Sequence, residues 1–240
     1  MKKTIQLFLC GILFLTAIAS AQDRVKGNGK IVTEKRNTRA YQDIKVTGSF
    51  DVDLVSGNEG SITIQGEENI LPFVKVEVED NVLKVSTEKG KNISPSLGKK
   101  IQITIPFESI SSVTLSGSGE IKTKNTIKAA DFNANLSGSG DLVLDVDTSK
   151  FEINLSGSGD VVLTGTTNDF TSKLSGSGDI DASGLKAKNV DVAVSGSGDS
   201  KVFCSESLYA RVSGSGDIEY KGNPIKKDTK VNGSGEISND

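Results

Sequence analysis

Seven acidic side chains recur at nearly fixed intervals in the second half of this chain: Glu120, Asp141, Asp160, Asp179, Asp199, Asp217 and Glu236. Each closes a five-residue phrase. The phrase reads Ser-Gly-Ser-Gly-Glu from Ser116, Ser-Gly-Ser-Gly-Asp from Ser137, Ser156, Ser175, Ser195 and Ser213, and Asn-Gly-Ser-Gly-Glu from Asn232. Carboxylate oxygens suit calcium, which makes Asp141, Asp160, Asp179, Asp199 and Asp217 candidate calcium ligands. The phrase is similar to the glycine-rich calcium coils of nonapeptide-repeat proteins, but neither their period nor their Gly-Gly-x-Gly-x-Asp pattern is present. The alternative is a turn aspartate that accepts backbone N–H bonds. Carboxylates stacked about 5 Å apart repel by roughly 0.8 kcal/mol per pair in water and about 3 kcal/mol at an effective dielectric of about 20. Such a column must be hydrated, splayed, hydrogen-bonded or cation-bound.

The serines of the phrase form a second series. Ser137, Ser156, Ser175, Ser195 and Ser213 would present a regular ladder of hydroxyls to a sugar polymer, another β-surface or ice. The alternative is that serine is simply small and polar enough for a corner. Catalysis has little support. The chain has no histidine, so Ser-His and Cys-His nucleophile systems are excluded, as is a zinc site with imidazole ligands. Acid pairs of the kind glycosidases use remain open. A catalytic pair should break the repeat locally, however, and no acidic residue of the series does.

The spacing of the phrase identifies the elements that carry it. Successive copies start 21, 19, 19, 20, 18 and 19 residues apart, a period that marks a solenoid of stacked coils. Before each phrase lies Leu115, Leu136, Leu155, Leu174, Val194, Val212 or Val231. Two residues earlier come Val113, Ala134, Ile153, Ser172, Val192, Ala210 and Thr229. Two earlier again come Ser111, Phe132, Phe151, Phe170, Val190, Leu208 and Lys227. This alternation predicts a strand with one buried face. The Gly-Ser-Gly segment predicts a sharp corner. After the acid a second strand opens on Ile121, Leu142, Val161, Ile180, Ile218 or Ile237, with Ser200 the exception. A third inward position is expected at Ile127, Val146, Leu185 and Phe203.

The whole describes an all-β parallel β-helix of about 19 residues per coil. Seven coils spaced about 4.8 Å apart make a prism about 30 Å long. Phe132, Phe151 and Phe170 are expected to stack inside it. The end coils differ, with Ser111 and Lys227 in place of the leading hydrophobe, as expected where one neighbour is missing.

The front half is strand-rich but lacks the strict period. Expected strands are Tyr41–Val46, Phe50–Val55, Ser61–Gln65, Val74–Glu79, Val82–Thr87 and Ile101–Ile105. Glu79-Asp80-Asn81 and Ser56–Gly60 read as hairpin turns, and Lys89–Lys100 as a surface loop. Gly48-Ser49-Phe50-Asp51-Val52 is a decayed copy of the phrase, so the coil is expected to begin there.

The N-terminus carries Lys2 and Lys3, an apolar run from Ile5 to Ile18, and Ala19-Ser20-Ala21 before Gln22. These are the parts of a secretory signal peptide over residues 1–21, and the run is short for a spanning helix, which needs roughly 20 apolar residues. The mature chain is then 22–240, one elongated domain with an irregular β region over 22–110 and the seven-coil region over 111–240. It keeps 26 basic against 31 acidic residues, a net charge of −5, with no basic stripe for nucleic acid and no further transmembrane segment. Cys10 leaves with the leader and Cys204 stands alone, so no intrachain disulfide can form. A lone thiol can pair with another chain or serve as a small apolar wall residue.

At this point the sequence resembles a known family. The run Tyr41-Gln-Asp-Ile-Lys-Val-Thr-Gly-Ser-Phe-Asp-Val-Asp-Leu54, followed by Ser61-Ile-Thr-Ile-Gln-Gly66, Val82-Leu-Lys-Val-Ser86, Ile101-Gln-Ile-Thr-Ile-Pro106 and the Leu-Ser-Gly-Ser-Gly-acid series, is similar to the auto-transporter adhesin head domain, or GIN domain, of exported bacterial proteins, especially from the Bacteroidetes. The resemblance covers residues 36–238. It implies a right-handed β-helix, an envelope or surface location (periplasm, outer-membrane surface or outside the cell) and a structural or adhesive role toward a glycan or an envelope protein. It supplies no catalytic residue and no cofactor. The alternatives from the residues are a polysaccharide-degrading β-helix enzyme and an envelope scaffold that oligomerises through open coil ends.

Overall fold

The computed structural model describes residues 23–240; the expected leader, Cys10 and Gln22 lie outside the described residues. Strands dominate, and the only helical element described is a single 3-10 turn, Leu71–Phe73. The chain is a β-solenoid of about seven turns with ~19-residue spacing. Coils stack in parallel and in register. Gly117 pairs with Gly138, Gly138 with Gly157, Gly157 with Gly176, Gly176 with Gly196, Gly196 with Gly214 and Gly214 with Gly233.

The alternation read from the sequence is the alternation that is buried as far as Val212, whereas in the last coil Val231, with no coil above it, is 38% exposed. Leu115, Leu136, Leu155, Leu174, Val194 and Val212 are at most 2% exposed. Behind them Phe132, Phe151 and Phe170 form the expected stack, with ring centroids 5.5 and 5.6 Å apart and planes tilted by 40° and 37°. Two inward positions are polar: Ser172 and Ser200 are buried with no hydrogen-bond partner for their hydroxyls.

The corner explains the glycines. The first glycine of each phrase has φ between +123° and +142°, where side chains with a Cβ are strained. The second stands directly over its counterpart. A Cβ on Gly159 would lie 1.9 Å from the carbonyl oxygen of Gly140. Each corner also hydrogen-bonds to the one below, as where Ser158 N–H donates to Gly138 O at 2.9 Å.

The decayed copy does begin the coil. Asp43–Gly48 pairs in parallel beneath Ser112–Gly117, and Asp51–Ser56 beneath Glu120–Thr123. One level lower, Val82–Thr87 lies under Asp43–Gly48 and Gln102–Phe107 under Asp51–Ser56. Antiparallel strands then extend both walls: Val74–Glu79 pairs with Val82–Thr87, Ser61–Glu67 with Gln102–Phe107, and Ile31–Asn37 with Ser61–Glu67.

Three expectations are corrected. Glu79-Asp80-Asn81 is a hairpin turn, with Asp80 and Asn81 at positive φ, but Ser56–Gly60 is not. The strands flanking it both pair with Gln102–Phe107, which lies between them. The stretch Lys89–Lys100 is not all loop, because Lys91–Ser94 pairs in parallel with Asp23–Lys26. Finally, Phe203 does not face inward. Ser183, Gly184 and Leu185 have no partner in the next coil, so Phe203 falls opposite Lys186, an outward position, and Cys204 takes the core site at 0% exposure. Ile127, Val146 and Leu185 do face the core.

The front region is fastened by a buried carboxylate. Glu67, 1% exposed, accepts hydrogen bonds from Ser96 Oγ at 2.6 Å, Ser96 N–H at 2.8 Å and Gly29 N–H at 2.5 Å. The hydrogen bond from the Ser96 hydroxyl is the main cause that holds its carboxyl below the usual glutamate range. Elsewhere in the front region Tyr41 is buried, its hydroxyl donating to the carbonyl of Pro106. Burial, with the Glu59 charge, pushes its phenol above the ordinary range.

Candidate functional site

The structure brings the acidic series together as one column along an edge of the prism, half-buried at Glu120 and exposed from Asp141 to Glu236. Asp51 continues it downward, pairing with Glu120, which pairs with Asp141. One oxygen of each aspartate has a defined task. Asp141 Oδ1 accepts the backbone N–H of Asp160 at 3.3 Å, and Asp160 Oδ1 that of Asp179 at 3.2 Å. The pattern continues from Asp179 to Asp199 at 2.9 Å, from Asp199 to Asp217 at 2.8 Å and from Asp217 to Glu236 at 2.7 Å. Each carboxylate is thus a clasp on the coil above, and the amide dipoles offset the repulsion along the column. Among the described residues no three His, Cys, Asp or Glu side chains are grouped so as to hold a metal ion.

The serine ladder is also assembled. Ser137, Ser156, Ser175, Ser195 and Ser213 pair in register and all are exposed. It borders a wall whose outward residues vary from coil to coil. Asn135 and Asn154 are hydrogen-bonded to each other at 3.2 Å, Lys173 meets Glu152 at 3.1 Å, and the Arg211 guanidinium stacks on the Tyr209 ring at 3.5 Å. The ladder is therefore one row within a mixed polar surface.

A groove of about 760 Å³ on the third wall was not legible from the phrase. Its floor is the column Ala129, Thr148, Thr167, Ala187, and the hydroxyls of Thr148 and Thr167 are bonded to each other at 3.0 Å. One rim is the column Lys128, Asp147, Thr166, Lys186, Phe203; the other carries Ser149, Asn168, Lys188 and Ser205. Lys186 Nζ sits 4.1 Å from the centre of the Phe203 ring. Asp147 is engaged by the Thr166 hydroxyl at 2.9 Å. The available signals were the consecutive spacings of 20 and 18 residues and the Lys186-Ala187-Lys188 triplet.

Cys204 lies just behind this wall, its thiol donating to Lys188 O at 3.4 Å. Burial pushes the thiol up from its ordinary value, away from the thiolate form that a nucleophile needs. No helix among the described residues is long and apolar enough to cross a membrane, which says nothing about strands that cross as a barrel.

Comparison with known proteins agrees with this architecture. A family model described as "Putative auto-transporter adhesin, head GIN domain" matches residues 40–224. No curated protein matches the sequence. Among solved structures, a putative adhesin from Bacteroides fragilis NCTC 9343 is 26% identical with a TM-score of 0.82, covering 90% of this chain and 100% of its own. A putative adhesin from Parabacteroides merdae ATCC 43184 is 26% identical with a TM-score of 0.70, covering 91% and 99%. A putative lipid binding protein from Parabacteroides distasonis ATCC 8503 shares the fold at 24% identity and a TM-score of 0.75, covering 91% and 100%. The match over residues 40–224, on a solenoid whose coils carry the phrase in register, makes the chain a member of the auto-transporter adhesin head, or GIN domain, family.

Proposed function

We propose that this chain is an exported, non-catalytic element of the bacterial cell envelope or surface, which presents rows of polar side chains to a glycan or protein partner. The single observation that carries the reading is the in-register ladder. It fixes like residues in rows about 4.8 Å apart along a rigid rod, a surface matched to an extended partner. The adhesin family and the adhesin-named neighbours are consistent with this role. The non-catalytic part rests on the acidic column. Its aspartates are all committed in one way to inter-coil hydrogen bonds, and a catalytic pair needs two carboxylates in different environments.

A glycan and matrix-protein array probed with residues 22–240 tests the reading, run beside a reducing-end assay for polysaccharide cleavage. Binding without cleavage is expected. Cleavage that disappears in Asp160→Ala or Asp179→Ala overturns the non-catalytic reading. Failure to bind any surface polymer or protein overturns the adhesive one. A second reading, an envelope assembly partner, is favoured by the strand Lys226–Gly233, exposed at every residue and paired on one side to Ser200–Gly214. Size-exclusion chromatography with light scattering separates the two: a monomer at high concentration removes the scaffold.

A further inference from the structure

We propose that the third-wall groove is a binding site for an acidic polysaccharide, carboxylated or sulfated, laid along the solenoid axis. The inference rests on the adhesive reading and names its ligand class. Three observations carry it independently of the phrase.

The first is charge. The protein is acidic overall, yet the groove is lined by Lys128, Lys186 and Lys188 against the single carboxylate of Asp147. Some other lysines on the coil walls are in ion pairs, as Lys173 with Glu152, Lys201 with Glu219 and Lys124 with Asp53. The three groove lysines are in none among the described residues. Their positive charge is left for a ligand from outside the chain.

The second is the break in the repeat. Register shifts occur at Val162/Thr164, Ala182/Lys186 and Ala187/Asn189, all on the approach to this wall. The opposite wall, from Phe132 to Gly138, pairs without interruption with its neighbours through every coil. Bulges re-aim side chains and gather at functional sites. Here the shift turns Phe203 outward, beneath the Lys186 ammonium.

The third is geometry. Lys128 and Lys186 stand in one column three coils apart, about 14 Å along the axis, while Lys186 and Lys188 lie about 7 Å apart on one strand. That spacing suits charges on successive or alternate sugar units of a polymer. Between the cations, Thr166, Ser149 and Asn168 offer hydroxyl and amide groups for sugar hydroxyls, and the half-buried Phe203 ring gives one end an apolar face. A polar rim with few anchors and a small-residue floor leaves room for a chain to lie flat.

The test is isothermal titration of residues 22–240 with polygalacturonate and with dextran sulfate, neutral dextran being the reference. Binding to at least one acidic polymer, weakened by salt and absent with dextran, is expected. The triple variant Lys128→Ala/Lys186→Ala/Lys188→Ala should bind about ten- to a hundredfold more weakly, each lysine accounting for about two- to fivefold. Lys45→Ala, on a different wall, should change nothing. All three lysines are exposed, so the triple variant should keep the wild-type melting temperature, which separates lost binding from lost fold. Undiminished binding by the triple variant overturns the proposal. So does equal binding of dextran. Binding confined to vesicles of anionic phospholipid also overturns it, in favour of a membrane surface. If acidic polymers fail but a neutral glycan or a protein on the array binds, this proposal falls and the adhesive reading stands. If nothing binds, both fall.

Discussion

Phe151→Ala should be the most informative substitution in the core. Phe151 is fully buried and is the middle ring of three, 5.5 Å from Phe132 and 5.6 Å from Phe170. Truncating it removes the ring's transfer free energy, about 2–3 kcal/mol, and leaves a cavity that flat, in-register strands above and below cannot close. It also removes two tilted ring pairs, each worth about 0.5–1.5 kcal/mol beyond area. The sum is about 3–6 kcal/mol, which overlaps the range of about 3–5 kcal/mol for a buried phenylalanine. Phe151→Leu restores most of the volume but no ring pair, so it should cost about 1–2 kcal/mol. Urea unfolding followed by far-UV circular dichroism reads both, and a double-mutant cycle with Phe132→Ala should give a coupling of about 0.5–1.5 kcal/mol. A cost for Phe151→Ala no greater than that of the outward Glu152→Ala, or zero coupling to Phe132, would refute the stacked-column account.

The corner, the polar core positions and the buried glutamate give three further expectations. Gly159→Ala places a methyl 1.9 Å from Gly140 O and should cost more than about 2 kcal/mol. Gly57→Ala, whose nearest atom is 3.7 Å away on Pro106, should stay within about 0.5 kcal/mol in the same unfolding assay. Ser172→Ala removes a buried hydroxyl that has no partner and should raise stability by about 1 kcal/mol; a loss instead would mean that the hydroxyl is satisfied. Glu67 has a folded pKa below its ordinary 4.5, so the stability it contributes is present above that value and is lost as pH falls through the folded pKa. Glu67→Gln should therefore be less stable at neutral pH and show a flatter decline below pH 4.5 than wild type. Identical pH profiles would show that the hydrogen bonds from Ser96 and Gly29 do not favour the charged form.

The repeat region was legible because each inward column is written several times over. Leu155 alone is weak evidence; Leu115, Leu136, Leu155 and Leu174 at one spacing are strong. Gly48–Val52 could be recognised as a coil from the same phrase even with Phe50 in the place of the second glycine. The front region was not legible in the same way. Its pairings join segments distant in sequence, as Ser61–Glu67 beside Gln102–Phe107, and no period announces them. Lys91–Ser94 becomes a strand only because Asp23–Lys26 lies beside it, a tertiary cause that local turn residues conceal. Phe203 was misplaced for a simpler reason. A count of residues back from Leu208 assumes equal coils, and an odd shift in a period-two strand exchanges inside for outside. The same irregularity hid the groove, since a site built where a repeat fails cannot be read from the repeat.

The near identity of the corners has a consequence for how the chain reaches its native state. Ser175–Asp179 could dock on Ser137–Asp141 almost as well as on Ser156–Asp160, skipping one coil, because the glycine stack and aspartate clasp would form equally in both. Corners therefore supply adhesion between coils but no addressing. Addressing falls to what differs between turns: the three phenylalanines against Val190 and Leu208, the lone serines Ser172 and Ser200, and the coils of unequal length. Replacing these with a consensus coil would improve each local contact while multiplying misthreaded traps, so the irregular residues act as the bar code that keeps assembly in order.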